Sequence, residues 1–268
     1  MKQIGINLGA YGKKLSVEEE VSLLSHIGFT HAFLISEDER IDEYAKAINH
    51  ANITLANLHA PFSRINDIWL PMGDERGEDM LNRLLRAVDC CRKYGTGVLV
   101  VHLSSGENAP RICDAGIERY DRLMAYAKEN GIKIAYENQR KLASLSFALE
   151  TYSDAGFCWD TGHEACFTAF YRHAPMFGSR MIALHLHSNL CEYNGDLHLL
   201  PFDGKIDMER VAKELSLSAY RGPVLLEVAR HNSHLYDTLS AEEYYERAYL
   251  EGVRFAELFE KYQAQNAR

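Results

Sequence analysis

The chain has 268 residues, of which 47% are hydrophobic, enough to form the core of one large domain. Lys and Arg number 29 against 38 Asp and Glu, so the formal net charge of −9 disfavours a protein that binds nucleic-acid backbones over a broad surface. No apolar run approaches the roughly 18 residues of a membrane span. The start MKQIGINLG has no signal-peptide pattern and the cysteines form no CxxC pair, which favours a reducing cytoplasm.

Short apolar runs alternate with longer amphipathic segments along the chain. The first pair is IGINLG, a predicted strand, and SVEEEVSLLSHIG, a predicted helix that ends at Gly28. The other predicted strands are THAFLIS, ITLANLHA, GVLVVHLSS, IKIAYENQ, AGFCWDTGH, MIALHLHS and PVLLEVAR. The predicted helices between them include DERIDEYAKAINHAN, EDMLNRLLRAVDCCRKYG, AGIERYDRLMAYAKENG and MERVAKELS. In EACFTAFYRHAPMFGS, Pro175 and Gly178 predict that the helix is short or displaced.

This alternation predicts the fold class. Eight strands separated by helices in about 250 residues indicate parallel βαβ units that close into a single α/β domain, a (β/α)8 TIM barrel. No linker rich in Pro, Gly or Ser divides the pattern, so we expect one barrel domain over residues 1–268. In such a barrel the active site lies at the carboxyl ends of the strands.

Six of the eight predicted strands end in a side chain that can ionise or bind a metal. These residues are His59, His102, Glu137, Asp160, His185 and Glu227. Burying charged groups without partners costs several kcal/mol each or shifts their pKa values, and a divalent cation removes that cost. Imidazole and carboxylate ligands without a thiolate suit Zn, Mn, Co or Mg. We therefore predict a divalent metal site where the strand ends converge.

Further polar residues flank these strand ends. His163 follows Asp160 by three residues in WDTGH, and we expect it to be either a metal ligand or a substrate contact. Asp196 and His198, in the loop after the seventh strand, could add ligands. His187 lies two residues after His185, on the same strand face, and is predicted to contact substrate. The histidines expected to be solvated or capping are His26, His31, His50, His173, His231 and His234.

The motifs LHAPF, YEN, WDTGH, LHLHSN, DLHLLPFDGKID and GPVLLEV occur in this order over nearly the whole chain. With them the chain resembles the xylose isomerase-like TIM barrel superfamily, which includes sugar isomerases and epimerases, inosose dehydratases and the endonuclease IV group. Similarity to the single-metal sugar epimerases implies one divalent ion with four ligands, Glu137, Asp160, His185 and Glu227. It also implies that the two glutamates act as acid and base.

Similarity to endonuclease IV implies a three-zinc cluster instead. Its nine ligands would be His59, His102, Glu137, Asp160, His163, His185, Asp196, His198 and Glu227. We therefore expect one to three ions. Three features favour sugar chemistry over cleavage of abasic DNA: the acidic composition, Gly162 where endonuclease IV typically has cysteine, and the isomerase-like loop DLHLLPFDGKID.

The expected reaction is isomerisation or epimerisation of a sugar or sugar phosphate. A metal would stabilise the enediolate that forms when a C–H proton leaves, while Glu137 and Glu227 remove and return the proton from opposite faces. Phe62 and Trp69, in the loop after the third strand, would stack on the sugar or else pack beneath that loop.

Two alternative functions stay open. One is an endonuclease IV-like zinc phosphodiesterase acting on abasic DNA, and the other is a non-catalytic barrel that binds a small ligand. The expected partner is a small sugar or sugar phosphate. We expect no association with a membrane, and the sequence leaves open whether the protein forms a homo-oligomer. No phosphate-binding motif such as GxxxxGK[ST] occurs, so the sequence leaves phosphorylation of the sugar undecided.

Overall fold

Eight parallel strands form one sheet in the computed structural model, which describes residues 2–12, 14–168 and 170–266. They are β1 (Ile4–Asn7), β2 (His31–Ile35), β3 (Thr54–His59), β4 (Val98–Val101), β5 (Lys133–Glu137), β6 (Gly156–Asp160), β7 (Met181–His185) and β8 (Val224–Leu226). Neighbouring strands follow chain order, and β1 pairs with both β2 and β8. The predicted TIM barrel and its eight strands are confirmed.

A short bridge completes the barrel between β7 and β8. Leu186 and Leu226 form a parallel bridge just beyond β7. The Leu186 amide donates to the Leu225 carbonyl at 2.9 Å, and the Glu227 amide donates to the Leu186 carbonyl at 3.1 Å. This bridge brings the carboxyl ends of β7 and β8 together, which positions the residues that follow them.

Helices surround the sheet. They are α1 (Val17–Ile27), α2 (Ile41–His50), α3 (Glu75–Tyr94), α4 (Asp114–Glu129), α5 (Leu142–Thr151), α6 (Thr161–Phe167), α7 (His173–Phe177), α8 (Met208–Leu217) and α9 (Ala241–Asn266). α1 begins with a capping box between Ser16 and Glu19 and ends at Gly28, whose φ of 117° is left-handed, as the sequence predicts. None of the described helices is both long and apolar enough to cross a membrane.

The segment after β6 is divided into two short helices, α6 and α7, which agrees with the prediction of a short or displaced helix. Ala169, between them, lies outside the described residues, as do the ends of the predicted domain at residues 1, 267 and 268. The single domain over residues 1–268 therefore stays a prediction.

A buried carboxylate anchors these two helices. Glu164 is 3% exposed, and its Oε2 accepts hydrogen bonds from the Trp159 indole at 3.1 Å and from the His173 backbone amide at 2.8 Å. Its Oε1 accepts from Arg210 at 3.2 Å. Burial raises the pKa of Glu164, but hydrogen bonds from His173 and the charge of Arg210 produce a net lowering. The prediction that His173 is solvated or capping is wrong, because this residue is fully buried against Glu164.

The barrel interior is layered. Val100, Ala135, Cys158 and Ala183, one each from β4 to β7, form a small buried apolar cluster. Side chains two residues apart on a strand share a face. Two positions further along these strands stand His102, Glu137, Asp160 and His185. A dry layer of small side chains thus lies directly beneath a layer of ligand-type residues, as the inward-facing positions of a barrel require.

Candidate metal centre and active site

Six ligand-type side chains meet at the carboxyl ends of six strands. His59, Glu137, Asp160 and His185 are the last residues of β3, β5, β6 and β7, while His102 and Glu227 directly follow β4 and β8. Four of them, His59, His102, Glu137 and Glu227, line a cavity of about 410 Å³, whereas Asp160 and His185 are fully buried and do not line it. Its lining residues are Ile35, His59, Phe62, His102, Ser105, Glu137, Gln139, Arg140, His163, Phe167, Asp196, His198 and Glu227. The structure therefore brings together in one place the residues that the sequence predicts from separate strands.

Glu137 is the hub of this layer. Its Oε2 lies 3.1 Å from Nε2 of both His59 and His102, and its Oε1 lies 2.8 Å from Nδ1 of His163. The residue is only 2% exposed. Burial raises the pKa of Glu137, but the neighbouring His102 and His185 lower it by a larger amount. The net pKa of Glu137 is therefore well below the ordinary value. Glu137 is consequently an anion with electropositive groups at both of its oxygens.

Four residues offer a compact set of ligand atoms. One atom each from Glu137, Asp160, His185 and Glu227 lies within 4.8 Å of the others. His185 Nδ1 is 3.2 Å from Glu227 Oε2 and 3.5 Å from Glu137 Oε2. Both His185 Nδ1 and Glu227 Oε2 are buried without a hydrogen-bond partner among the described residues.

These four residues fit a divalent cation. Ligand atoms around zinc at about 2.1 Å are separated from one another by roughly 3.0–3.4 Å. The separations at His185 are of that order. A buried imidazole nitrogen and a buried carboxylate oxygen without hydrogen bonds are costly unless a cation binds both. The charge and ligand types suit a divalent cation.

A second candidate group of ligands lies beside the first. Asp196 Oδ2 is 3.2 Å from Nε2 of both His163 and His198, and Asp196 Oδ1 is buried without a hydrogen-bond partner in the described chain. His198 Nδ1 lies 3.0 Å from the Glu227 carbonyl, which fixes the orientation of the ring. His198 also has a left-handed φ of 49°. Such backbone strain costs about 1–3 kcal/mol and is typical of functional sites.

The carboxylates around His163 and His198 raise the pKa values of both imidazoles. Burial lowers the pKa of His163, but the carboxylates of Asp160, Asp196 and Glu137 raise it well above the ordinary value. Asp196 and Glu227 likewise outweigh burial and raise the pKa of His198 to about 9. Protonated imidazoles thus balance the carboxylates, and a divalent cation could take over this role.

His187 packs against two residues of the candidate metal centre, Asp160 and His198. It is fully buried, its Nε2 is 3.0 and 3.1 Å from the two carboxylate oxygens of Asp160, and its ring stacks on His198 with 4.1 Å between centroids. His187 is absent from the cavity lining. Its contacts therefore hold Asp160 in place, and the contact with substrate that the sequence predicts for His187 stays a prediction.

Gly162 makes room for this histidine. A Cβ atom at position 162 would lie 1.9 Å from His187 Cε1 and 2.4 Å from its Nδ1. Only a glycine leaves the imidazole where it can reach Asp160. The Gly162 of WDTGH and the second histidine of LHLHSN therefore form one packing unit.

The two aromatic residues predicted to contact substrate have different positions. Phe62 lines the cavity, is 42% exposed and stacks on His102 with 5.3 Å between ring centroids. Trp69 is 6% exposed, packs against Tyr120, and donates its indole hydrogen to the Leu103 carbonyl at 2.7 Å. Phe62 is therefore available to a ligand, whereas Trp69 lies outside the cavity lining and packs beneath its loop.

Sequence reasoning missed Gln139 and Arg140. Gln139 Nε2 lies 3.0 Å from His163 Nδ1 and 3.3 Å from Glu137 Oε1. The Arg140 guanidinium stacks over the Phe167 ring at 3.5 Å. Both residues directly follow the strand-end sequence YEN. A polar run immediately after a barrel strand was the signal that could have identified them.

Comparison with known proteins identifies the family. The family model of the xylose isomerase-like TIM barrels matches residues 23–257. The chain belongs to the xylose isomerase-like TIM barrel family. A relative from Sinorhizobium fredii, the uncharacterized protein y4fM, is 24% identical over 288 aligned positions, which cover 90% of this chain and 89% of the relative.

Solved structures of the xylose isomerase-like fold align with almost the whole chain. D-psicose 3-epimerase from Clostridium cellulolyticum H10, solved with D-tagatose, has a TM-score of 0.74 at 13% identity, covering 97% of this chain and 99% of that one. The IolI protein, solved with a bound zinc atom, has a TM-score of 0.72 at 15% identity over 97% of this chain and 99% of its own. At such low identity these similarities establish the fold.

Proposed function

We propose that the protein is a divalent-metal-dependent isomerase or epimerase of sugars or sugar phosphates. The observation that carries this proposal is the compact set of ligand atoms from Glu137, Asp160, His185 and Glu227, of which the two glutamates line the cavity. Two of the four are glutamates that come from strands three places apart around the barrel. They therefore approach a bound substrate from different directions.

The two glutamates have different environments, and we assign them different roles. The Glu227 side chain is 18% exposed and lines the cavity, so we assign it as the base that accepts a proton from the carbon beside the substrate carbonyl. Both oxygens of Glu137 have imidazole neighbours, through which a proton can be supplied for return on the other face. A bound cation would polarise the substrate oxygens and stabilise the negative charge that develops on them.

Other side chains suit the binding of a small polyol. Phe62 offers an aromatic surface to the cavity, and Ile35 adds an apolar contact that helps to exclude water. His163, Gln139 and Ser105 add polar groups that can bind hydroxyls. A cavity of about 410 Å³ accommodates a five- or six-carbon sugar and lies within the usual range for small-molecule sites.

The similarity to an epimerase solved with D-tagatose and to a protein solved with zinc supports this proposal. A panel of ketoses and aldoses, free and phosphorylated, tests it. Products would be separated by chromatography, with metal content measured on the same preparations. We expect interconversion of at least one pair by the metal-loaded protein and none by Glu227→Gln. Failure across the whole panel with verified metal loading would contradict the assignment.

A second candidate is an endonuclease IV-like zinc phosphodiesterase. The observation that favours it is the additional group of His163, Asp196 and His198, which offers ligands for a further ion. Against it stand the net charge of −9 and Gly162, which is packed against His187. Efficient incision of an abasic-site duplex at physiological salt would favour this candidate. Inactivity on both sugars and DNA would favour the non-catalytic binding barrel.

A further inference from the structure

Arg140 is the only Lys or Arg that lines the cavity among the residues that the structure describes. It follows β5 closely, so its backbone is set by the barrel while its side chain reaches the cavity wall. The other charged groups of the lining are carboxylates and imidazoles of the candidate metal centre. Arg140 is therefore the one guanidinium beside these carboxylates and imidazoles, and an anionic group of a ligand could bind to it.

The Arg140 side chain is held in place without a counter-ion. Its Nε and Nη2 donate to Asn194 Oδ1 at 3.2 and 3.0 Å, and its guanidinium lies 3.5 Å over the centre of the Phe167 ring. Asn194 is oriented in turn because its amide donates to Glu107. Within the described chain no carboxylate lies at ion-pair distance from Arg140, and its Nη1 has no acceptor. The guanidinium is therefore ordered, positively charged and free at one edge.

Phe167 connects Arg140 to the candidate metal centre. The His163 ring stacks on Phe167 with 4.8 Å between centroids and an interplanar angle of 23°. Two groups this close to one ring cannot share a face, so the imidazole and the guanidinium lie on opposite faces. Arg140 is thus two stacking distances from His163, which is comparable to the length of a five- or six-carbon sugar chain.

We propose that Arg140 binds the phosphate group of a sugar phosphate whose carbonyl end lies between Glu137 and Glu227. This inference rests on the proposed function and narrows its substrate class to phosphorylated sugars. A guanidinium binds a phosphate with two parallel charge-assisted hydrogen bonds, and prior ordering by Phe167 and Asn194 reduces the entropy lost on binding. A neutral sugar would leave the charge of Arg140 uncompensated beside the substrate.

Kinetics on matched pairs of phosphorylated and free sugars tests the proposal. We expect Arg140→Ala to lower kcat/KM for the phosphorylated member about 100-fold, mainly through KM, and to change the free sugar less than about 3-fold. Arg140→Lys keeps the positive charge but loses the planar pair of N–H donors. Its kcat/KM for the phosphorylated sugar should therefore lie between the values of wild type and Arg140→Ala. Arg111→Ala is the matched control, because Arg111 is exposed and absent from the cavity lining. Equal losses on both members of the pair, or no loss, would overturn the proposal.

Binding of inorganic phosphate provides a readout that does not depend on turnover. Titration of chelator-treated protein by calorimetry should show at least about 10-fold weaker phosphate binding in Arg140→Ala than in wild type or Arg111→Ala. Unchanged phosphate binding in Arg140→Ala would overturn the anion site even if sugars are turned over. Arg140-dependent phosphate binding without turnover of any sugar would support the anion site and contradict the proposed function.

Discussion

Replacing Gly162 with alanine should disturb the candidate metal centre through a residue outside the cavity lining. The new Cβ would lie 1.9 Å from His187 Cε1, far inside contact distance, so the imidazole must move. His198 stacks on the same ring at 4.1 Å and limits the space into which it can move. Any displacement lengthens the contacts of 3.0 and 3.1 Å between His187 Nε2 and the Asp160 carboxylate.

The expected loss follows from these contacts. Weakening a buried hydrogen bond to a charged group costs about 1.5–3 kcal/mol, and overpacking a dense interior typically costs about 1–3 kcal/mol. We therefore expect Gly162→Ala to lower the free energy of unfolding by about 3 kcal/mol or more. For a chain of this size that corresponds to a Tm lower by roughly 6–12 °C. Asp160 would lose its orientation, so bound metal per protein should also fall.

Thermal unfolding and elemental analysis of Gly162→Ala, beside Gly97→Ala, measure this effect. Gly97 is a matched control because a Cβ there meets nothing within 4 Å. In a His187→Ala background the ring is gone, so the Gly162→Ala change should cost little, and the double-mutant cycle should show strong coupling. A Gly162→Ala protein with the Tm and metal content of wild type would refute the proposed packing unit.

Three further predictions concern the metal centre itself. Exhaustive chelation should lower the Tm and abolish turnover, because the clustered carboxylates lose their cation; scanning calorimetry before and after metal re-addition measures this, and an unchanged Tm after verified metal loss would contradict it. Glu137→Gln and Glu227→Gln should each lower kcat about 1000-fold or more, measured in steady state, and near-wild-type rates in either variant would exclude its acid–base role. Asp196→Asn combined with His198→Ala should lower the metal-to-protein ratio if the second group holds an ion; equal ratios in the double variant and wild type would refute that extra ion.

The strands and their ends could be predicted because their signals are local. Each strand is a short apolar run, and a ligand-type residue at its end, such as Glu137 in IAYEN or Asp160 in FCWDT, stands out from that run. Barrel topology then requires such ends to converge, whatever the details of the loops. Contacts such as those between Glu137 and His59, 78 positions apart, therefore follow from the fold class alone.

The positions of side chains in the segments between the strands could not be predicted, because they depend on packing between parts of the chain that are distant in sequence. Phe62 and Trp69 occupy one loop, yet one lines the cavity and the other is buried against Tyr120. His187 has the same strand face as His185, but the close approach of Gly162 places it behind the centre. Arg140 reaches the cavity because Phe167, the last residue of α6, and Asn194, in the loop after β7, hold it there.

Exchange of a substrate proton with solvent tests the proposed activity most directly. A metal-loaded enzyme that works through Glu137 and Glu227 should incorporate deuterium from D2O at the carbon beside the carbonyl of its sugar substrate, followed by NMR. Glu227→Gln should lose this exchange while it still binds the sugar. Isomerisation or epimerisation without deuterium incorporation at that carbon, or unchanged exchange in Glu227→Gln, would contradict proton transfer by these two glutamates.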